Sequence, residues 1–69
     1  MNYIEVWASR DEVEPYNNVI FISQKEPEYI SGKWHRSPNQ VIFSIGVNDT
    51  DVYIEKGIKT KVKLLLEHI

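Results

Sequence analysis

The fold of this chain is decided by four segments of its first half, Trp7-Ala8-Ser9-Arg10-Asp11, Asn18-Val19-Ile20-Phe21-Ile22-Ser23, Lys25-Glu26-Pro27 and Gly32-Lys33-Trp34. Apolar and β-branched runs alternate there with polar or proline-marked stretches. In order, they predict a strand, a polar turn, a second strand, a turn region over 24–31 and a third strand. The first half of the chain therefore indicates antiparallel β structure.

The first strand has two different faces. Apolar residues alternate with other residues from Tyr3 to Ser9, which is the period of a strand with one buried side. We expect the core side to carry Ile4, Val6 and Ala8. We expect the outer side to carry Tyr3, Glu5, Trp7 and Ser9. A fourth strand is predicted over 40–47, with one apolar face formed by Val41, Phe43, Ile45 and Val47.

The segment 54–69 fits two interpretations. Its apolar residues recur at helical spacing, but from Ile58 onward they also alternate with lysines. Gly57 and the β-branched residues of 58–62 disfavour a helix, so we favour a fifth strand. The prediction is a mainly β fold, a small antiparallel meander or partly closed barrel of four to five strands. The alternative is α+β, a four-stranded sheet with a C-terminal helix.

Length and composition limit the class of protein. The 69 residues make a single domain, 1–69, with a formal charge of −2 and no cysteine. A secreted domain of this size usually needs disulfides, so we expect a cytoplasmic protein that a partner or self-association stabilises. No apolar run reaches the roughly 18 residues of a membrane span, so we expect no membrane contact.

Catalytic chemistry is difficult to build from these residues. His35 and His68 lie on different predicted elements, and the three glycines are scattered. No spacing typical of zinc ligands or of a phosphate-binding loop occurs. We therefore predict no catalytic residue, no cofactor and no metal site, and expect that the chain is not an enzyme.

Partner binding is the better-supported prediction. Large aromatic residues on an outer face, here Tyr3 and Trp7, make good contact anchors. The alternative for Trp7 is a stabilising cross-strand pair with Trp34. We take eight residues as candidates for partner binding: the outer aromatics, an acidic turn and an aromatic–basic group. They are Tyr3, Trp7, Asp11, Glu12, Glu14, Trp34, His35 and Arg36.

Three lysines of the last predicted strand suggest a second kind of partner. Lys59, Lys61 and Lys63 would project from one face at about 6.5–7 Å spacing. Such a ridge could follow a phosphate backbone, which makes nucleic acid the alternative partner. Lysines on an edge strand also keep a sheet soluble and block aggregation.

The same first half of the chain resembles a loose pattern found in small uncharacterised proteins of phages and prophages. The matching residues are Trp7, Arg10, Asp11, Val19 to Ile22, Lys25, Pro27, Gly32 and Trp34. Glu26 departs from the pattern by separating Lys25 from Pro27. The resemblance implies a small β-rich phage accessory protein and transfers no catalytic or binding residue.

These observations together predict a non-enzymatic phage or mobile-element accessory protein in the cytoplasm of a host cell. It would bind a host protein, and inhibition of a host or defence enzyme is the most concrete form. One alternative is a small nucleic-acid-binding β-barrel. The other is a structural or assembly protein that forms a homo-oligomer.

Overall fold

The computed structural model describes residues 2–31 and 33–66. Its strands are β1 (Asn2–Arg10), β2 (Val19–Ser23), β3 (Glu28–Ile30), β4 (Lys33–His35), β5 (Val41–Gly46) and β6 (Lys59–Leu66). Single turns of 3-10 helix are Tyr16–Asn18, Pro38–Gln40 and Val47–Asp49. The predictions made for Gly32 and His68 lie outside the described residues.

The strands form two antiparallel sheets. The larger has the order β5-β2-β1-β6, and the smaller is the hairpin β3-β4. In the larger sheet, β1, β2 and β5 are neighbours in chain order, as in a meander, and β6 returns beside β1. This is the strand order of a Greek key with the hairpin inserted before its third strand. The predicted mainly β class is confirmed, and the larger sheet stays open, with β5 and β6 at its edges.

The last segment is a strand through Leu66, as favoured by the sequence. A turn at Lys56 and Gly57, whose φ is +78°, precedes β6. Glycine adopts this left-handed conformation without the steric cost that a side chain imposes. From Lys59 to Leu66 every residue then pairs with β1. The alternative of a C-terminal helix is excluded for the described residues.

One face of the larger sheet, which we call face A, forms the core. The strand register places Ala8 opposite Ile22 and Val6 opposite Val62, and opposed residues share a face. In the described part of the chain, the buried hydrophobic side chains are Val6, Ala8, Ile20, Ile22 and Ile54. The predicted core side of β1 is therefore confirmed.

Ile54 comes from the connection 50–58, which crosses from β5 to β6 over one end of face A. The Nη1 of Arg10 donates to the main-chain oxygen of Ile54 at 2.8 Å. Main-chain hydrogen bonds also join Arg10 to Gly57 and Ile58, at 2.9 and 3.1 Å. These bonds dock the connection, so that Ile54 is only 4% exposed.

The opposite face, face B, is covered in part by the hairpin β3-β4. The sequence predicted a turn throughout 24–31, whereas Glu28–Ile30 pairs with Lys33–His35. Glu28–Ile30 is only three residues long, which is too short for an alternating pattern to indicate a strand. Pro27 is buried at the start of the hairpin, and its carbonyl accepts a hydrogen bond from Lys59 Nζ at 3.1 Å.

Candidate interaction surfaces

Lys59 lies between the two tryptophans on face B. Its Nζ is 5.4 Å from the ring centroid of Trp7 and 5.2 Å from that of Trp34. The same Nζ is 2.7 Å from an oxygen of Glu26. A cation over two rings is stabilised by their negative faces. The arrangement joins the hairpin to β6, and both tryptophans are partly buried.

The two tryptophans are not cross-strand partners, so that alternative is wrong. Trp7 lies opposite Ser23 on one side and Lys61 on the other. Trp34 lies opposite Tyr29, and their rings meet edge to face with centroids 4.9 Å apart. Lys59 therefore links the two tryptophans, which do not pair with each other directly.

Arg36 directly follows β4, and its side chain packs against the larger sheet. Its Nε donates to Ser9 Oγ at 2.8 Å, and its Nη2 donates to Asp11 Oδ1 at 2.9 Å. The guanidinium carbon is 4.1 Å from the ring centroid of Phe21. The side chains of Arg36 and Asp11 are 9% and 14% exposed. The side chains of Arg36 and Asp11 are therefore engaged in contacts within the chain, whereas His35 is exposed.

The three residues of the predicted acidic turn have different surroundings. Asp11 is paired with Arg36, while Glu12 accepts a hydrogen bond from the Tyr29 hydroxyl at 3.1 Å. That bond, with smaller effects from desolvation and from the charges of Glu12 and Asp11, raises the pKa of Tyr29. Glu14 is exposed. The geometry thus leaves Glu12 and Glu14 at the surface of the turn.

The three lysines of β6 share face B, as their alternation predicted. Lys59 lies opposite Ser9, Lys61 opposite Trp7 and Lys63 opposite Glu5. Lys61 Nζ is 5.3 Å from the Trp7 ring centroid. Since Glu26 faces Lys59 and Glu5 faces Lys63, two of the lysines have a carboxylate neighbour. A phosphate-binding role for this ridge stays a prediction.

The remaining outer aromatic, Tyr3, lies opposite Leu65 near the start of β1. The two side chains are 55% and 38% exposed. They lie on the same side of the sheet as Trp7, beyond the part that the hairpin covers. The partner-binding roles predicted for these residues stay predictions.

The feature that sequence reasoning missed is an open apolar groove on face A, of about 240 Å³. It lies beside the crossing connection, which covers only part of the face. Phe43 and Val52 stand at its sides and are 41% and 53% exposed. The groove is lined by Ala8, Ile20, Ile22, Phe43, Ile45, Thr50, Val52, Val62 and Leu64, together with Lys63, which the strand register places on face B. The alternation of β5 predicted the apolar side that contains Phe43 and Ile45. No pattern in the sequence predicted that Val52 would lie beside it.

A second depression, of about 260 Å³, is polar and wide open. It is lined by Lys25, Glu26, Glu28, His35, Arg36 and Ser37. Charges of both signs are mixed there. Among residues 2–31 and 33–66, no three His, Cys, Asp or Glu side chains are grouped as metal ligands.

The chain was compared with protein-family models, with curated proteins and with solved structures, and none of these comparisons found a match. The resemblance to phage accessory proteins therefore stays a prediction. In the part of the chain that the structure describes, no helix is long and apolar enough to cross a membrane.

Proposed function

We propose that this chain is a non-enzymatic interaction protein that binds another protein through the groove on face A. The observation that carries the proposal is the groove itself, apolar and open in a sheet face that the connection 50–58 covers incompletely. A concave apolar site is the usual place for a ligand or a partner side chain. The proposal moves the binding surface from the aromatic face B to face A.

The side chains of the groove indicate the chemistry of the partner. Phe43 and Val52 are large apolar groups left largely in water, and covering apolar surface contributes about 25 cal/mol per Å². A partner segment with large aliphatic or aromatic side chains would gain most there. The phage-like pattern makes a host protein the first class to test, and occlusion of that protein's own binding surface is how an inhibitor would act.

The test is affinity purification of the tagged chain from host-cell lysate, with and without nuclease, followed by mass spectrometry. The wild-type chain is compared with Phe43→Ala, which removes one wall of the groove. The matched control is Tyr16→Ala, because Tyr16 is also aromatic and is 56% exposed but lies outside the groove lining. Circular dichroism shows whether both variants remain folded.

We expect one nuclease-resistant protein partner whose recovery Tyr16→Ala leaves unchanged. Removing a central interface aromatic costs about 2 kcal/mol or more, so Phe43→Ala should weaken binding about 30-fold. Equal recovery by wild type and Phe43→Ala would contradict the proposal. Partners lost with nuclease would instead favour the lysines of β6 and nucleic acid.

A further inference from the structure

We propose that two copies of this chain pair antiparallel along the outer edge of β5, about a two-fold axis at Ser44. The occupant of this edge is a second copy, so the inference goes beyond the proposed function. Pairing would use the main chain at the edge of the sheet and would leave face A open.

The outer edge of β5 is unpaired in the described part of the chain. β5 forms a ladder with β2 on one side, and it is the terminal strand of the sheet on the other. Val41–Gly46 contains no charged residue and no proline. Such an edge presents a row of main-chain donors and acceptors, which is a template for another strand.

The opposite edge of the sheet is less suited to such pairing. Lys59, Lys61 and Lys63 alternate along β6 and share one face. A two-fold antiparallel pairing opposes residues that lie on the same face. Every such register whose axis lies within 59–63 places lysine opposite lysine, and opposed like charges destabilise a sheet. Of the two edges, charge therefore selects β5 for self-association.

An axis at Ser44 is consistent with the alternation of β5. Phe43 and Ile45 lie on face A, opposite Ile22 and Ile20, whereas Ser44 lies on face B. With the axis at Ser44, Phe43 of each copy lies opposite Ile45 of the other, which gives two aromatic–aliphatic pairs. Beyond the strand, Asp49 of each copy would lie towards Asn39 of the other, so no like charges meet.

One irregularity limits the length of the pairing. The ladder between β2 and β5 shifts after Ile22, because Ser23 pairs with Val41 and Ile42 is passed over. In the proposed register, Ile42 lies opposite Gly46 of the other copy, at the two ends of the contact. Its regular part is Phe43–Ile45, so the interface is short and the affinity is weak.

The dimer would change what the chain presents to a partner. Phe43 and Ile45 also line the groove, so pairing brings two grooves side by side on a sheet of eight strands. It would also supplement a core of five buried hydrophobic side chains in the described residues. Small domains with so little core often use self-association for stability.

Sedimentation equilibrium tests the dimer. The wild-type chain is measured from about 5 µM to about 1 mM, because short interfaces bind weakly. We expect the mass to rise from 8.1 kDa towards twice that value. Ser44→Lys would oppose two lysines at the axis and should stay monomeric at every concentration. The matched control Thr60→Lys adds the same charge at an exposed position of β6 and should dimerise like the wild type.

A charge-reversal experiment makes the register testable. Ser44→Lys and Ser44→Glu chains should each be monomeric but should form a mixed dimer when combined, because opposite charges then meet at the axis. Circular dichroism and thermal melting of each variant alone separate loss of pairing from loss of fold.

Three results would overturn the inference: a wild-type monomer at the highest concentration, a Ser44→Lys dimer, or growth beyond the dimer. The last would indicate β5 pairing with β6 in an open chain of copies. These results concern only the dimer, and the proposed function is tested separately by partner capture. Conversely, the chain could dimerise while Phe43→Ala recovers the partner as well as the wild type does. That result would overturn the proposed function alone.

Discussion

Arg10 reaches across the end of the sheet and donates a hydrogen bond from its Nη1 to the main-chain oxygen of Ile54, 44 positions later and at 2.8 Å. Its Nε donates to the main-chain oxygen of Asn17 at 2.6 Å. One guanidinium thus fixes both the turn after β1 and the connection 50–58. Since Val52 belongs to that connection, Arg10 also positions one wall of the groove.

The first prediction concerns this guanidinium. Arg10→Met keeps an apolar stem but leaves the two carbonyls without their charged donor. Hydrogen bonds to charged groups contribute about 1.5–3 kcal/mol each, and Arg10 is partly exposed. We expect the free energy of unfolding, measured with urea, to fall by about 2–3 kcal/mol. The control Lys56→Met, at an exposed turn, should change it by less than about 0.5 kcal/mol, and an equal effect of both variants would refute the role of Arg10.

The second prediction concerns the ion pair beneath the hairpin. Asp11→Ala leaves Arg36 with its bond to Ser9 but without a counter-charge, at a position where its side chain is 9% exposed. Removing one partner of a buried pair costs about 3 kcal/mol or more. Thermal or urea unfolding should show that loss for Asp11→Ala and almost none for the exposed Glu14→Ala. Comparable small losses would mean that the Arg36–Asp11 pair does not hold the hairpin.

The third prediction concerns the lysine between the tryptophans. Lys59→Met keeps the apolar stem and removes the charge from Trp7 and Trp34, together with the bond to Pro27. The ion pair with the half-exposed Glu26 adds little, because solvent screens it. We expect a loss of about 1–2 kcal/mol and a shift in tryptophan fluorescence. Lys63→Met serves as the control, and matching spectra for the two variants would argue against the contact.

The fourth prediction concerns the pKa of Tyr29. The hydrogen bond to the Glu12 carboxylate raises this pKa above its usual value of 10.0. The fold therefore favours the neutral hydroxyl, and this contribution to stability is complete below the unfolded pKa and is lost as the pH rises through the folded value. Glu12→Gln should lower the pKa of Tyr29.

Phenolate absorbance provides the measurement for that prediction. The chain has four tyrosines, and Tyr29→Phe identifies the contribution of Tyr29 by difference. The titration curve of Tyr29→Phe should lack the component that belongs to Tyr29, and Glu12→Gln should shift that component to lower pH. An unchanged titration curve in Glu12→Gln would show that the hydrogen bond does not form in solution.

The strands of the larger sheet could be predicted from the sequence because their apolar patterns are local, whereas β3 was missed. The periods of β1 and β6 identified which side chains share a face, including the lysines of β6. In β5 the prediction holds for Phe43 and Ile45. It is wrong for Val41, because the shift in the ladder places Val41 opposite Ser23, and Val47 follows the strand.

The order of the strands is not local, since it depends on how the connection 50–58 docks on Arg10. For the same reason, neither the burial of Ile54 nor the groove beside Val52 could be predicted from this irregular segment.

The predicted interaction residues show the same limit. Trp7 was correctly placed on the face away from Val6, but its actual neighbours depend on the register of β6 and on the hairpin. The acids of the turn looked alike in sequence. They differ in the structure because Arg36, 25 positions after Asp11, comes to lie beside it.

Photo-crosslinking in host cells shows whether a protein binds in the groove. A photoreactive benzophenone amino acid replaces Phe43 in one chain and Tyr16 in another, and adducts are identified by mass spectrometry. We expect a discrete adduct with a host protein from position 43, distinct from the chain's own dimer by mass, and none of it from position 16. The same adduct at equal yield from both positions, or from position 16 alone, would show that the partner does not bind in the groove.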